Sequence, residues 1–579
     1  MQVWEVGKSS GISKCGLNTL QVLLTTTSHD GASYAYNDDG LPASKSLYVQ
    51  THFDANDKTF DNKPISTHYY GYDNNFNLAQ LSISGNGSAE KLVAKRQFSA
   101  LGYLLTHTNM LGKQTHDYYY TQPGIDQGQL KSVVDPMGNI KTITYNSVWD
   151  LPETVTYAKK KTNFLGQGAG LVENYQIRFT YDDQGFLQSV AKYPAGSEKP
   201  SEKYTYTYQP YHNGIATTTV TYADGTSRQY VNQQDNYFNV LSAQLNNSSS
   251  HANNASANLV NESYSYGPLG VLKQTSYTAP INITVSYSYN PDLTVQSVNA
   301  NNQVQTGIQY NSLGQIDNID YTLLSSHKTG RYSYQFDRLL RKASYSYQQN
   351  GSLLTQLDYG YTPAGQIGNF SCSKDSKVCP KNQNGDAISS VQYHYNNEWN
   401  TLQQVNQILQ GNKTDTQTYH YASSDPTQLT QFTDSQSGKI DLQYDDNGNV
   451  STETKTNAQG QAQTYHYVYD ASNHLIQINH QSGSPINYQY GPLGMQIASR
   501  YQGSTKQYYR LGNIHEFRLV QKNGSAESRY SVPKGSFYNG KFSANITDGY
   551  NLTATSDGSS LQNVSFYTPY GIPTDITHD

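Results

Sequence analysis

Along most of the chain, apolar or aromatic positions alternate with polar ones in short runs. Tyr204-Thr205-Tyr206-Thr207-Tyr208 and Tyr465-His466-Tyr467-Val468-Tyr469 show it most plainly. A period of two places successive side chains on opposite faces of a strand, so these runs predict half-buried β-strands. Helical spacing is faint and heptads are absent. The strand runs end on a recurring unit: an aromatic residue, often Asp or Asn, two variable residues, Gly, one variable residue, then an apolar one. Examples are Tyr181-Asp182-Asp183-Gln184-Gly185-Phe186-Leu187 and Tyr444-Asp445-Asp446-Asn447-Gly448-Asn449-Val450. The Asp or Asn with its nearby Gly predicts a tight hairpin turn, because Gly takes positive φ without steric cost.

The unit repeats. The anchors Tyr181, Tyr310, Tyr361, Tyr444 and Tyr490 are followed four residues later by Gly185, Gly314, Gly365, Gly448 and Gly494. After Tyr469, Asn473 stands in the glycine position, since Asn tolerates the left-handed region. Tyr266-Gly267-Pro268-Leu269-Gly270 and Tyr490-Gly491-Pro492-Leu493-Gly494 form a proline variant. Tyr289, Phe336 and Tyr395 are anchors without the glycine. From residue 266 onward most anchors lie 21–26 residues apart, a solenoid-like step. One hairpin cannot bury its own face, so successive hairpins must stack.

Composition sharpens this picture. The chain has 579 residues, too many for one ordinary core. Its 53 tyrosines suit pleated surfaces, where the ring packs and the hydroxyl reaches a polar partner. With 39 basic and 44 acidic residues the formal charge is −5, which excludes an electrostatic nucleic-acid binder as the default. Three cysteines exclude a disulfide scaffold. No stretch is apolar for the eighteen residues a membrane helix needs, and MQVWEVGKSS lacks the apolar centre of a signal peptide.

Candidate chemistry is sparse. His394, His420 and His466 fall in strand contexts and are expected to face solvent. No HExxH or GxSxG occurs. Cys372 and Cys379 could close a hairpin-loop disulfide or remain two reduced thiols, and Cys15 has no evident partner. Asp445–Asn449 and Asp38–Gly40 resemble calcium loops faintly, but the alternating ligands and distal Glu are missing. Gly166–Gly170 reads as a flexible loop rather than a dinucleotide site. In Gly535–Lys541 the glycine and lysine spacing of a phosphate loop is followed by Phe542, not Ser or Thr. No catalytic residue, metal or cofactor is expected.

Tyr72-Asp73, Tyr181-Asp182, Tyr444-Asp445 and Tyr469-Asp470, each with a following turn, resemble the rearrangement-hotspot (RHS) or YD-repeat family. The resemblance covers residues 30–571. It implies an all-β sheet of hairpins spiralling into a hollow shell, as in the C-subunits of bacterial Tc insecticidal complexes and in polymorphic toxins of bacterial competition. Residues 1–29 are then a lead-in, and 572–579 the start of a truncated core-associated segment. Family members that release a cargo carry a self-cleaving stretch with DPxxG after the repeats. Asp135-Pro136-Met137-Gly138 has that look but lies far too early. The implied function is a non-enzymatic, secreted or cell-surface shell around a toxin cargo, completed by a partner segment or chain. A surface adhesin that binds glycans is the first alternative, and a hydrolase with an unrecognised site the second. If the shell is incomplete, Ala544–Tyr550 and Leu561–Tyr567 should present unpaired strand edges.

Overall fold

In a computed structural model the chain is described from residue 64 to 567, with short breaks at 86–87, 163–167, 211–212, 224, 249–257, 280–281, 363–364, 383, 397, 482, 512–513, 533, 539–540 and 563. Outside that span it is described at 4–5, 19–23, 29–51, 53–54, 59–60 and 573–575. Forty-five strands form one antiparallel sheet. Each strand pairs with the next along the chain, from Trp4–Glu5 to Leu561–Gln562. The described residues contain no α-helix. Trp4–Glu5 and Leu561–Gln562 do not pair with one another, so the ribbon is open.

All anchor turns lie along one rim of the ribbon, called here the turn rim. The hairpin at Tyr181 shows their construction. Gly185 N donates to Asp182 O at 3.0 Å, closing the turn. The Asp182 carboxylate accepts from the backbone of Gln184 and Phe186 at 3.0 and 2.9 Å. Gly185 sits at φ 84°. The register then slips by one residue between Thr180 and Tyr181, a bulge that completes the turn. Asp445 likewise caps its turn, accepting from Asn447 and Asn449. That role accounts for the aspartate in this calcium-like stretch.

The fourth position after most anchors has positive φ. Gly314, Gly365, Gly448, Asn473 and Gly494 are at 78°, 80°, 86°, 63° and 74°. Leu293 after Tyr289 and Leu340 after Phe336 are at 66° and 63°. The units at Tyr289 and Phe336 therefore make the same turn with a residue that is strained there, whereas after Tyr395 the positive φ falls one residue later, at Asn400 (58°).

Several expectations change. Strand Lys541–Thr547 is paired on both sides, and Ala544 and Ile546 are buried. The free edge expected at Ala544–Tyr550 is absent because the short strand Leu552–Ser556 covers it. Gly168–Gly170 is not loop but the start of strand Gly168–Tyr181, paired at Thr162, while Gly166 and Gln167 lie outside the described residues. Gly535–Tyr538 is a strand, in keeping with the reading that its phosphate-loop spacing is coincidental.

Cys372 and Cys379 are joined by a disulfide, with Cα atoms 5.8 Å apart. Ser373 N and Val378 N both donate to the neighbouring strand, to Gln356 O and Leu354 O. The bond thus clips out a short excursion while the ladder continues beneath it. Cys15 lies outside the described residues.

A Cβ at Gly448 would meet open space, so substitution there reports backbone strain alone. Gly448→Val should destabilise the protein by about 1–3 kcal/mol in denaturant melts. Leu340→Gly, at an exposed position, should stabilise it by up to about 1 kcal/mol. A Gly448→Val variant melting with the parent would remove the turn assignment. Thiol titration of the denatured, unreduced protein should find one free thiol, and finding three would exclude the bridge.

Candidate functional site

Each anchor tyrosine ends one strand and points its hydroxyl at the first residue of the strand beside it. Tyr181 OH donates to Pro152 O at 2.7 Å, Tyr310 to Val295 O at 3.1 Å and Tyr361 to Lys342 O at 2.7 Å. Tyr444 donates to Leu429 O at 2.5 Å, Tyr469 to Val450 O at 3.0 Å and Tyr490 to Leu475 O at 2.8 Å. Backbone pairing between Val450–Asn457 and Ala462–Tyr469 stops at Thr452–His466. The strands part beyond that point, and the Tyr469 hydroxyl supplies the donor that the Val450 carbonyl would otherwise lack. Burial raises the hydroxyl pKa at Tyr181 and Tyr444, keeping both protonated donors.

The second level of organisation is the seam between coils. Ser88 Oγ donates to Glu398 at 2.7 Å, Lys159 Nζ to Tyr469 O at 2.6 Å and Lys192 Nζ to Tyr490 O at 3.1 Å. Arg228 pairs with Glu516 at 3.3 Å, the two side chains 8% and 1% exposed. Tyr332 bonds Thr553 at 2.8 Å. Both partners advance together along the chain, so the ribbon spirals rather than folding back. The separation in sequence falls from 310 at Ser88–Glu398 and Lys159–Tyr469 to 221 at Tyr332–Thr553. The coil therefore tapers. In every one of these contacts except Tyr332–Thr553, the turn rim of the later coil seats on the opposite rim of the earlier one.

The turn after Tyr444 shows the fit. Asn447 Nδ2 donates to Asp135 Oδ2 at 2.7 Å, and Asn447 Oδ1 accepts from Met137 N at 3.2 Å. Lys113 pairs with Asp446 at 2.7 Å. Asp135–Gly138, the DPxxG look-alike, is thus a hairpin turn that receives another turn. One unit further along, Tyr175 OH donates to Ser472 Oγ at 2.6 Å, and Lys192 Nζ lies 3.9 Å over the Tyr175 ring. Burial pushes the Asp470 carboxyl up, but bonds from His474 and Ser472 outweigh it and hold it below the usual range. Ser472 and Asp470 both approach His474 at Nδ1, at 2.8 and 3.4 Å. A nucleophile and its orienting carboxylate would occupy opposite ring nitrogens, so this trio braces a turn.

Which face is inside follows from the taper. Tyr277 meets Phe537 at 5.7 Å, and Lys342 Nζ lies 4.1 Å over the Tyr550 ring. The Tyr334 hydroxyl donates to the Asp548 carbonyl. The narrowing end thus lies against the tyrosine-bearing face of the first coil, which makes that face concave. Its alternate, convex positions carry hydroxyl pairs such as Thr144–Thr154, Thr207–Thr217 and Ser288–Ser297, each at 2.7 Å. His394, His420 and His466 are exposed. Between Lys91–Phe98 and Thr401–Leu409, one revolution later, lie 23 strand steps. At about 4.8 Å per step the coil is roughly 35 Å across, against about 10 Å for two packed sheets. A round coil of that width holds its opposite walls apart, and concave residues Phe432, Ile440, Leu442, Tyr465 and Tyr467 are only half-buried.

The six anchors with their turn residues all fall on one rim, but the seam partners Lys159 and Lys192 carry no mark in the sequence, and Asp135 carries only that of an unrelated motif. No group of three or more metal-ligating side chains occurs among the described residues. No described helix is long and apolar enough to cross a membrane.

Asn447→Asp places a carboxylate against Asp135 and leaves one donor fewer. It should cost about 1–3 kcal/mol by removing the bond and adding like charge, with hydrogen exchange rising at 135–139 and 445–449 together. Exchange rising at only one of the two turns would mean that the seam contact is not formed.

No family model and no curated protein matches the sequence. Among solved structures, the Tc holotoxin pore of Photorhabdus luminescens, in a form with mutated TccC3, is similar over 94% of this chain. The TM-score is 0.62 and the identity 12%, and this chain spans 27% of the length of that one. A TcdB2–TccC3–TEV crystal structure matches over 98% of this chain and 36% of its own length, with 10% identity and a TM-score of 0.43. At 12% identity what this chain shares with the holotoxin chain is its fold, a continuous antiparallel β-ribbon of the Tc toxin kind.

Proposed function

We propose that this chain is a wall section of an RHS-type toxin shell, non-enzymatic in itself, that encloses a polypeptide cargo together with a second shell-forming chain. The observation that carries the reading is the contrast between two stretches of the same rim. In the later coil the turn rim is seated on the coil before it, with Tyr550 and Leu493 the large side chains it leaves most exposed. In the first coil the corresponding turns expose Phe76, Leu101, Trp149, Phe238, Leu269 and Leu340. Large apolar side chains repeated along one rim mark a contact surface. The seam inside this molecule shows what such a rim accepts: the opposite rim of another coil of ribbon. A coil about 35 Å across has room for an extended or loosely folded chain. The disulfide suits an oxidising surrounding and so a secreted or cell-surface protein. The likeness to the Tc holotoxin supports the reading at the level of fold.

Light scattering on the purified chain tests it. The chain should self-associate, and Leu101→Asp with Leu269→Asp should suppress association without lowering the melting temperature. A monodisperse monomer, with the apolar rim turns protected from exchange, would defeat the two-chain shell and favour a self-sufficient adhesion module.

A further inference from the structure

The seam contains a carboxylate whose burial favours its protonated form. Glu202 opens strand Glu202–Tyr208 on the earlier coil and is 1% exposed. Its Oε2 has no hydrogen-bond partner. Across the seam it abuts Gly491, the residue that follows anchor Tyr490. A Cβ at 491 would collide with Oε2. In the turns after Tyr181, Tyr444 and Tyr469 this place holds an aspartate that caps its own turn. At Tyr490 the turn has no side chain there, and the neighbouring coil fills the space with Glu202.

We propose that Glu202 against Gly491 is a pH-sensitive latch between the coils, held shut by the neutral acid and loosened when the buried carboxyl ionises.

The groups around it have been placed. On its own strand, Tyr204 hydrogen-bonds the carboxyl; on the flanking strands Lys192 and Tyr222 stand opposite Glu202. From the later coil come Gly491 and Ile497, which do not titrate, Tyr509 packed on Tyr222, and Arg510, whose charge is felt at Tyr204. Arg228 is engaged by Glu516. Asp470 acts on Lys192, which burial holds below the ordinary lysine range. Burial raises Glu202 from 4.5 to about 7, and the Tyr204 bond and the Lys192 charge offset only part of that. Glu262, also buried with an unpartnered Oε2, is raised by burial as well and acts in the same direction.

The sign follows. The closed seam binds the proton more tightly than the open one. Closure is therefore strongest below pH 4.5, weakens as pH rises from there to about 7, and is constant above. Asp470, held low, loses its contribution only below the ordinary aspartate range, outside that window.

Hydrogen exchange at 201–205 and 489–496 in the full chain, each rate normalised to intrinsic exchange at the same pH, reads the latch. The opening equilibrium should rise by about tenfold per pH unit between pH 4.5 and 7, to about 300-fold in all. In Glu202→Gln the rise should be reduced to the share contributed by Glu262, with the far-ultraviolet spectrum unchanged. Gly491→Ala, which expels the carboxyl towards water, should open the seam at every pH and likewise flatten the profile. A flat wild-type profile, or a full rise surviving in either variant, would overturn the proposal.

Discussion

The structure depends on one bond made many times: a tyrosine hydroxyl donating to a backbone carbonyl where two neighbouring strands part. A long twisted ribbon cannot keep its ladder intact out to the rim, because the bulge at each turn opens a wedge. A carbonyl left in that wedge without a donor would cost about 1–3 kcal/mol if buried. The phenol spans the gap because it is rigid, long and apolar along its length, with its single donor at the tip. Phenylalanine would fill the wedge but leave the carbonyl bare, which explains why tyrosine dominates the anchor positions. The aspartate that follows closes the turn, and the fourth residue bends it, so each unit is locally complete.

Local completeness does not make a wall. The ribbon becomes a solid body only where one coil seats on another, and that seam is mixed in character. It has apolar stretches such as Tyr277–Phe537. It also has directional contacts: Lys159 and Lys192 on the carbonyls of Tyr469 and Tyr490, Asn447 between Asp135 and Met137, and Arg228 with Glu516. Greasy contact alone would let the coils slide, since every unit looks like the next. Point contacts between charged or hydrogen-bonding groups penalise a slip by one unit, because a buried lysine or glutamate would lose its partner. The buried polar groups thus set the pitch, and the aromatic groups supply most of the burial.

The strands, their alternation and the turn rim were legible in the sequence because each is decided within a few residues. Tyr444, Asp445 and Gly448 carry their structural roles in their own chemistry. Other features escaped. Leu293 and Leu340 occupy the left-handed position, where sequence reasoning expects glycine, and the rest of the hairpin carries the strain. Asp135–Gly138 could not be told from a misplaced motif, since its partner lies more than three hundred residues away at Asn447. The short strand Leu552–Ser556, too brief to show a period, covers the edge that otherwise would have been free.

Sequence alone determined the all-β class, the hairpin unit, the anchors and the need for stacking, since these follow from side-chain period, turn stereochemistry and the reach of one side chain. Tertiary structure decided which rim meets which, how fast the coil tapers, which face is concave, and where a carboxylate such as Glu202 is shut away from water. Those outcomes depend on small twists summed over some twenty strands. No local run of residues records that sum, so only the closed seam reveals it.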